Sequence, residues 1–177
     1  MAQKQFYGRT VTVLNDGSNQ YGGEDFGFTS REMLLNGLVK VGATAGWTAG
    51  GGAVDTGPMA TCAASATAGT LVVPITDLNV GEKITAFKVN AQIESAGGAV
   101  TLDAKLMRRD LVAAANTETE VGAITQVAVT ADTASEAEKT GLTQVVGDNE
   151  AYFLLLTATT AASTDIELMS VTVTIEL

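Results

Sequence analysis

Residues 71–93 read LVVPITDLNVGEKITAFKVNAQI. A short apolar run ends at Pro74, a turn rich in Asp and Asn follows, and strict alternation begins after Gly81. Thr85, Phe87, Val89, Ala91 and Ile93 fall on one face of an extended chain; Lys88, Asn90, Gln92 and Glu94 fall on the other. Side chains alternate along a strand with period two, so the pattern predicts a strand with one buried face. A slip of one residue would expose Phe87 and Val89 to water, which makes the register firm.

Downstream the same idea repeats. Ala96-Gly97-Gly98 is a turn, and the next stretch places Val100, Leu102, Ala104 and Leu106 inward with Thr101, Asp103 and Lys105 outward. The two stretches read as an antiparallel hairpin. After Arg108-Arg109-Asp110 and a polar connection, residues 121–130 are a strand candidate. Residues 131–139 admit a helical turn but read better as a loop entering a strand over 139–146. Gly147-Asp148-Asn149-Glu150 is a turn. The run AYFLLLT at 151–157 is apolar on both faces. That marks a central strand, covered on one side by the opposite sheet and on the other by the N-terminal segment or a second subunit. The last strand sets Met169, Val171, Val173, Ile175 and Leu177 against Ser170, Thr172, Thr174 and Glu176.

Short strands joined by Gly, Asp and Asn turns predict an all-β fold, an antiparallel β-sandwich of jelly-roll type. Its two sheets are expected to share Phe87, Val89, Leu102, Leu106, Phe153, Leu155, Val171 and Val173. Burying one such side chain contributes roughly 1.5–3 kcal/mol, most of it offset by chain entropy.

Upstream of residue 71 the pattern weakens. Trp47 is the only tryptophan, in a stretch dominated by Gly, Ala and Thr. It reads as an anchor at the core edge, with sugar stacking as the alternative. Cys62, the only cysteine, reads as a small buried hydrophobe and rules out an intrachain disulfide. Thr29-Ser30-Arg31-Glu32 fits a capping box. A short helix or turn is expected there, although the same letters suit a strand. Residues 1–29 are rich in Gly and Asn, yet carry Phe6, Tyr7, Tyr21, Phe26 and Phe28. Disordered tails are poor in aromatics, so an irregular arm that docks on a neighbour through these five residues is expected. The division is 1–40 as an N-terminal attachment arm and 41–177 as the sandwich.

The formal charge of −10 argues against nucleic acid and against an anionic membrane surface, since both need clustered Lys and Arg. The N-terminus MAQKQFYGRT lacks the apolar core of a signal peptide, which implies synthesis in the cytoplasm without export by the general secretory route. No histidine is present, so Ser-His-Asp and Cys-His catalysis and His-ligated metal sites are excluded. No phosphate loop with its lysine occurs. A pair of carboxylates acting as a hydrolase remains open, with a solvated acidic surface as the simpler reading. Asp77, Asn79 and Glu82 in one turn, and Asp148, Asn149 and Glu150 in another, offer oxygens, but neither matches a calcium loop and all are ordinary turn formers. No catalytic residue, cofactor or metal ligand is assigned, and the chain reads as non-enzymatic.

Residues 71–89, with Leu78-Asn79-Val80-Gly81-Glu82-Lys83, then 100–109, Asp148-Asn149-Glu150-Ala151-Tyr152-Phe153-Leu154 and the strand 166–177, resemble the jelly-roll modules of tailed-bacteriophage virion proteins, such as head decoration proteins, head fibres and tail-fibre modules. The resemblance implies a non-enzymatic virion component on the particle surface, a homotrimer attached to the major capsid protein or another virion protein. A capsid decoration protein that stabilises or ornaments the head is the leading expectation. A tail-fibre or lectin-like module binding a host glycan through Trp47 or Tyr152 is the alternative.

Overall fold

The computed structural model describes residues 2–6, 9–13, 19–21, 24–25, 30–35, 39–40, 46–49, 58–93, 99–112, 117–127, 129–131 and 133–176. Among them the regular structure is all strand. Near the N-terminus β1 (Ala2–Phe6), β2 (Arg9–Val13), β3 (Asn19–Tyr21) and β4 (Glu24–Asp25) pair in sequence order as a small antiparallel sheet, within the segment expected as an irregular arm.

The remaining strands form two antiparallel sheets. One takes β13 (Ser135–Lys139), β10 (Lys83–Ile93), β16 (Ile166–Glu176), β8 (Ala60–Cys62) and β7 (Trp47–Ala49) in that order, with β14 (Gln144–Val145) beside β10 and β5 (Ser30–Leu34) beside β16. The other runs β12 (Glu118–Ile124), β11 (Thr101–Asp110), β15 (Glu150–Thr159), β9 (Gly69–Ile75) and β6 (Val39–Lys40). Both contribute to one core that includes Trp47, Phe87, Val89, Leu102, Leu106, Leu154, Leu156, Val171 and Val173. The fold is therefore an antiparallel β-sandwich, and the chain crosses between sheets as in a jelly roll. β5 and β6 pair with β16 and β9, so the sheets take in strands on both sides of the expected 40/41 division.

Several local expectations are corrected. Residues 83–93 and 101–110 do not form a hairpin: β10 pairs with β16, β13 and β14, while β11 pairs with β15 and β12 in the opposite sheet. Periodicity assigns a face to a strand but not a partner, and a Gly turn can cross between sheets as readily as close a hairpin. Ser30–Leu34 is a strand rather than a helical turn, because the open edge of β16 supplies ladder partners for it. The candidate strand 121–130 is shifted, β12 being Glu118–Ile124. Residues 135–139, read as loop, are a strand, and the strand expected over 139–146 shrinks to Gln144–Val145.

The face of β15 is also reversed. Tyr152, Leu154, Leu156 and Ala158 enter the core, whereas Phe153 and Leu155 lie on the outer side. A run that is apolar on both faces fits either register. The cover expected from another segment comes, at Phe153, from its own sheet: the Arg109 guanidinium sits 5.5 Å from the ring centroid, and Met107 and Pro74 flank it in register. In β10 and β16, register shifts between Ile84 and Ala86 and between Asn90 and Ala91 interrupt the alternation. They let Ile84 and Phe87 both be buried, and they turn Leu168 inward where Met169 was expected.

Candidate functional site

Two ends of the sandwich concentrate its polar chemistry. The first gathers the start of β5, the end of β16 and the turns that follow β9, β11 and β14. The turn after β9 is shaped by Asp77 at φ 59° and Gly81 at φ 93°, left-handed conformations that favour Asp and Gly. Glu82 closes it. Its carboxylate accepts the Asn79 backbone N–H at 2.7 Å, the Asn79 amide at 3.1 Å, and Arg31 Nη2 at 3.0 Å to each oxygen. Arg31 also donates to the Asp77 carbonyl at 2.8 Å, so β5 is tied to the turn by a side chain as well as by its ladder. Burial pushes the Glu82 carboxyl up, but the hydrogen bonds from Asn79 and the Arg31 charge outweigh it and hold the pKa below the usual carboxylate value.

The neighbouring turn is closed in the same way. Glu150 accepts the Gly147 N–H at 2.8 Å and the Tyr152 hydroxyl at 2.5 Å, and pairs with Arg108 at 3.2 Å. The Tyr152 oxygen in turn accepts Gln144 Nε2 at 2.9 Å. Burial, then the Glu150 carboxylate, drives the tyrosine pKa upward, so its proton stays in place. The two acidic turns considered for calcium thus use Glu82 and Glu150 as acceptors for N–H and O–H donors. Among the described residues no cluster of three or more acids or thiols is placed to hold a metal.

Around these closed turns, apolar side chains stand in solvent. Val80 is 66% exposed, Leu111 54%, Val112 70% and Val145 54%. Hydrogen bonds between the loops place them together: Gly81 N–H to the Val146 carbonyl, Val146 N–H to the Glu82 carbonyl, and Leu111 N–H to the Asn149 carbonyl. The Asp110 carboxylate accepts the Val112 N–H at 2.9 Å and shapes the tip.

At the opposite end the aromatic ring and the thiol are buried. Trp47, 1% exposed, donates its indole N–H to the Gly69 carbonyl at 3.1 Å and lies opposite Cys62 in the β7–β8 ladder. The Cys62 thiol is pushed up to about 11 by burial and then by Asp165. The Thr160 hydroxyl donates to the Ala63 carbonyl at 2.7 Å and accepts the Ala66 N–H at 2.8 Å, stitching the loop before β9 to the end of β15. Trp47 and Cys62 are core residues, as expected, and neither Trp47 nor Tyr152 offers a sugar-stacking face. One feature escaped the sequence reading: Gln92, assigned to the solvent face, is buried beside Glu167, with Nε2 at 2.6 Å from the carboxylate, and Thr61 continues the row.

Of the five arm aromatics, Phe6 ends β1 opposite Arg9 and Tyr21 ends β3 opposite Glu24. Tyr7, Phe26 and Phe28 lie outside the described residues. Among the described residues, no helix is long and apolar enough to cross a membrane.

No family model and no curated protein sequence matches the chain. Solved structures do resemble it. A CBM36 carbohydrate-binding module in complex with calcium and xylotriose aligns with TM-score 0.47 and 13% identity, over 80% of this chain and 97% of that one. The CBM22-1 xylan-binding domain from Paenibacillus barcinonensis aligns with TM-score 0.46 and 14% identity, over 80% and 94%. The xylan-binding module CBM15 aligns with TM-score 0.44 and 17% identity, over 79% and 97%. With identities this low and each of these TM-scores below 0.5, the likeness is one of general sandwich outline, and no residue's role passes from those modules to this chain.

Proposed function

We propose that this chain is a non-catalytic attachment module of a larger assembly: a decoration protein of a tailed-phage head, bound to the major capsid protein or another virion protein and present there as a homotrimer. The observation that carries the reading is how the strand that follows residues 1–29 is held on the sandwich. β5, the first strand beyond that segment, is laid along β16 and clamped by Arg31 to the buried Glu82. A load on the N-terminal segment is thereby passed to a strand of the core. The resemblance of residues 71–177 to virion jelly-roll modules supports the same reading, as does the use of the carboxylates at both turns for closing backbone rather than for chemistry.

The rival reading is a lectin-like glycan-binding module. Its motivation is the likeness in outline to carbohydrate-binding modules. Against it stands the burial of Trp47 and Tyr152, the aromatics named as candidates for stacking on a sugar. The test mixes purified protein, and a version beginning at residue 30, with heads stripped of this protein, and reads co-sedimentation. The full chain is expected to bind and the shortened one, folded by circular dichroism, to stay in solution. Equal binding by both would overturn the role of residues 1–29. Saturable binding to xylan or to arrayed host glycans, with none to heads, would replace the proposal by its rival.

A further inference from the structure

We infer that the loop end carrying Val80, Leu111, Val112 and Val145 is a docking face for another protein, one that presents apolar sockets within a basic rim. The inference rests on the proposed attachment role and adds which surface of the sandwich makes the contact.

Among the described residues, all four large hydrophobics that stand exposed lie at this one end, none at the Trp47 end. Single exposed apolar residues are ordinary, but a group on adjoining turns is what interaction sites show. The turns at Val80 and Val145 are fixed by Glu82 and Glu150, and Leu111 and Val112 are held by the Asn149 carbonyl and the Asp110 carboxylate, so little ordering of these tips remains to be done on binding. The strand that follows the attachment segment starts here: Ser30, where β5 begins, pairs with Glu176 at the end of β16, beside Lys83 and Val145. β5 therefore begins at the end of the sandwich that carries the apolar tips.

Charge selects the partner. Arg31, Lys83, Arg108 and Arg109 at this end are each already paired with a carboxylate. Among the described residues the carboxylates of Asp77 and Asp148, on the exposed turns, form no ion pair, the Arg31 guanidinium meeting Asp77 only at its backbone carbonyl. A second copy meeting this face would bring acid against acid, on a chain whose net charge is −10. A partner with Lys or Arg around its sockets is complementary.

The test uses the full chain bound to purified heads, with a photo-crosslinking phenylalanine analogue at position 80, 112 or 145, and at position 67 on the opposite end as reference. Adducts from 80, 112 and 145 to a shell protein, at sites flanked by Lys or Arg, are the expected result. Adducts to a second copy of this chain, or crosslinking only from position 67, would overturn the inference. Val80→Ser with Val145→Ser in the full chain should weaken binding to stripped heads by roughly tenfold or more, and Asp148→Lys should weaken it in low salt only. Unchanged affinity in the Val double variant would sink the docking face while leaving the attachment role intact; failure of the unaltered chain to bind heads would instead sink the attachment role.

Discussion

At one end of the sandwich Trp47 is sealed behind Gly69, with the Cys62 thiol buried opposite it; at the other, Val80 stands in water on the turn closed by Glu82, and Val145 beside the turn closed by Glu150. Both ends face the same physical problem. Chain that leaves a sheet carries backbone N–H and C=O groups that must find partners. The Trp47 end solves it with neutral donors, an indole and the Thr160 hydroxyl, and then buries the result. The Val80 end solves it with charged acceptors, the buried Glu82 and the half-buried Glu150, beneath apolar side chains that stay in water. The first solution contributes to stability. The second leaves a shaped surface free for contact.

The largest effect expected from this contrast is at Trp47. Trp47→Ala removes a fully buried ring and its hydrogen bond to Gly69, and should cost about 3–5 kcal/mol in urea unfolding. A cost below about 1 kcal/mol, with the fold retained, would move Trp47 from the core to a binding surface. The adjoining thiol gives a second reading of the same end. With Cys62 buried and its pKa near 11, labelling by Ellman's reagent at pH 8 should be negligible in the native protein and rapid in denaturant. Fast native labelling would show that this end opens.

At the other end, Glu82→Gln should cost about 1–3 kcal/mol, because Arg31 loses its ion pair while the turn amides keep weaker acceptors. Amide exchange should rise first in β5. The pH dependence follows from the direction of the shift. Folded Glu82 binds its proton less readily than unfolded Glu82, so the unfolded chain takes up a proton first as the pH falls. The stabilisation is complete above the ordinary glutamate value of 4.5 and is lost as the pH falls below it, through the lower folded value. Unfolding free energy measured between pH 6 and pH 3 should fall less steeply in Glu82→Gln than in the unaltered chain. Parallel curves would show that Glu82 does not hold β5.

How much of this was legible in the sequence divides along the same line. Phe87, Val89, Leu102, Leu106, Val171 and Val173 could be placed inward because each sits in a stretch whose polar neighbours mark the opposite face. Phe153 and Leu155 could not, because their neighbours are apolar too and no polar residue breaks the tie. The bulges in β10 and β16 left no local mark, since Thr85 and Met169 suit either face. Trp47 and Cys62 were legible from residue type alone. The Val80 end was not: Val80 looked like any turn residue, Arg31 and Glu82 are far apart in sequence, and only the pairing of β5 with β16 brings them together. Partners are set by topology, which alternation does not report. The Gln92–Glu167 pair escaped for a related reason, since alternation marks which face a residue is on, not whether that face is covered.

The smallest expected effect is the one that separates surface from core most cleanly. Val80→Ser and Val145→Ser each remove an apolar side chain that is already mostly in water, so little hydrophobic burial is lost. Each should change the unfolding free energy by no more than about 0.5 kcal/mol. Val145 belongs to the two-residue strand β14, but its ladder partner Lys83 is held independently by β16, so the backbone has no need of the valine side chain. A stability loss of about 2 kcal/mol at either position would mean that the apolar tips pack against this chain itself, and the Val80 end would then be a second sealed end rather than a surface for contact.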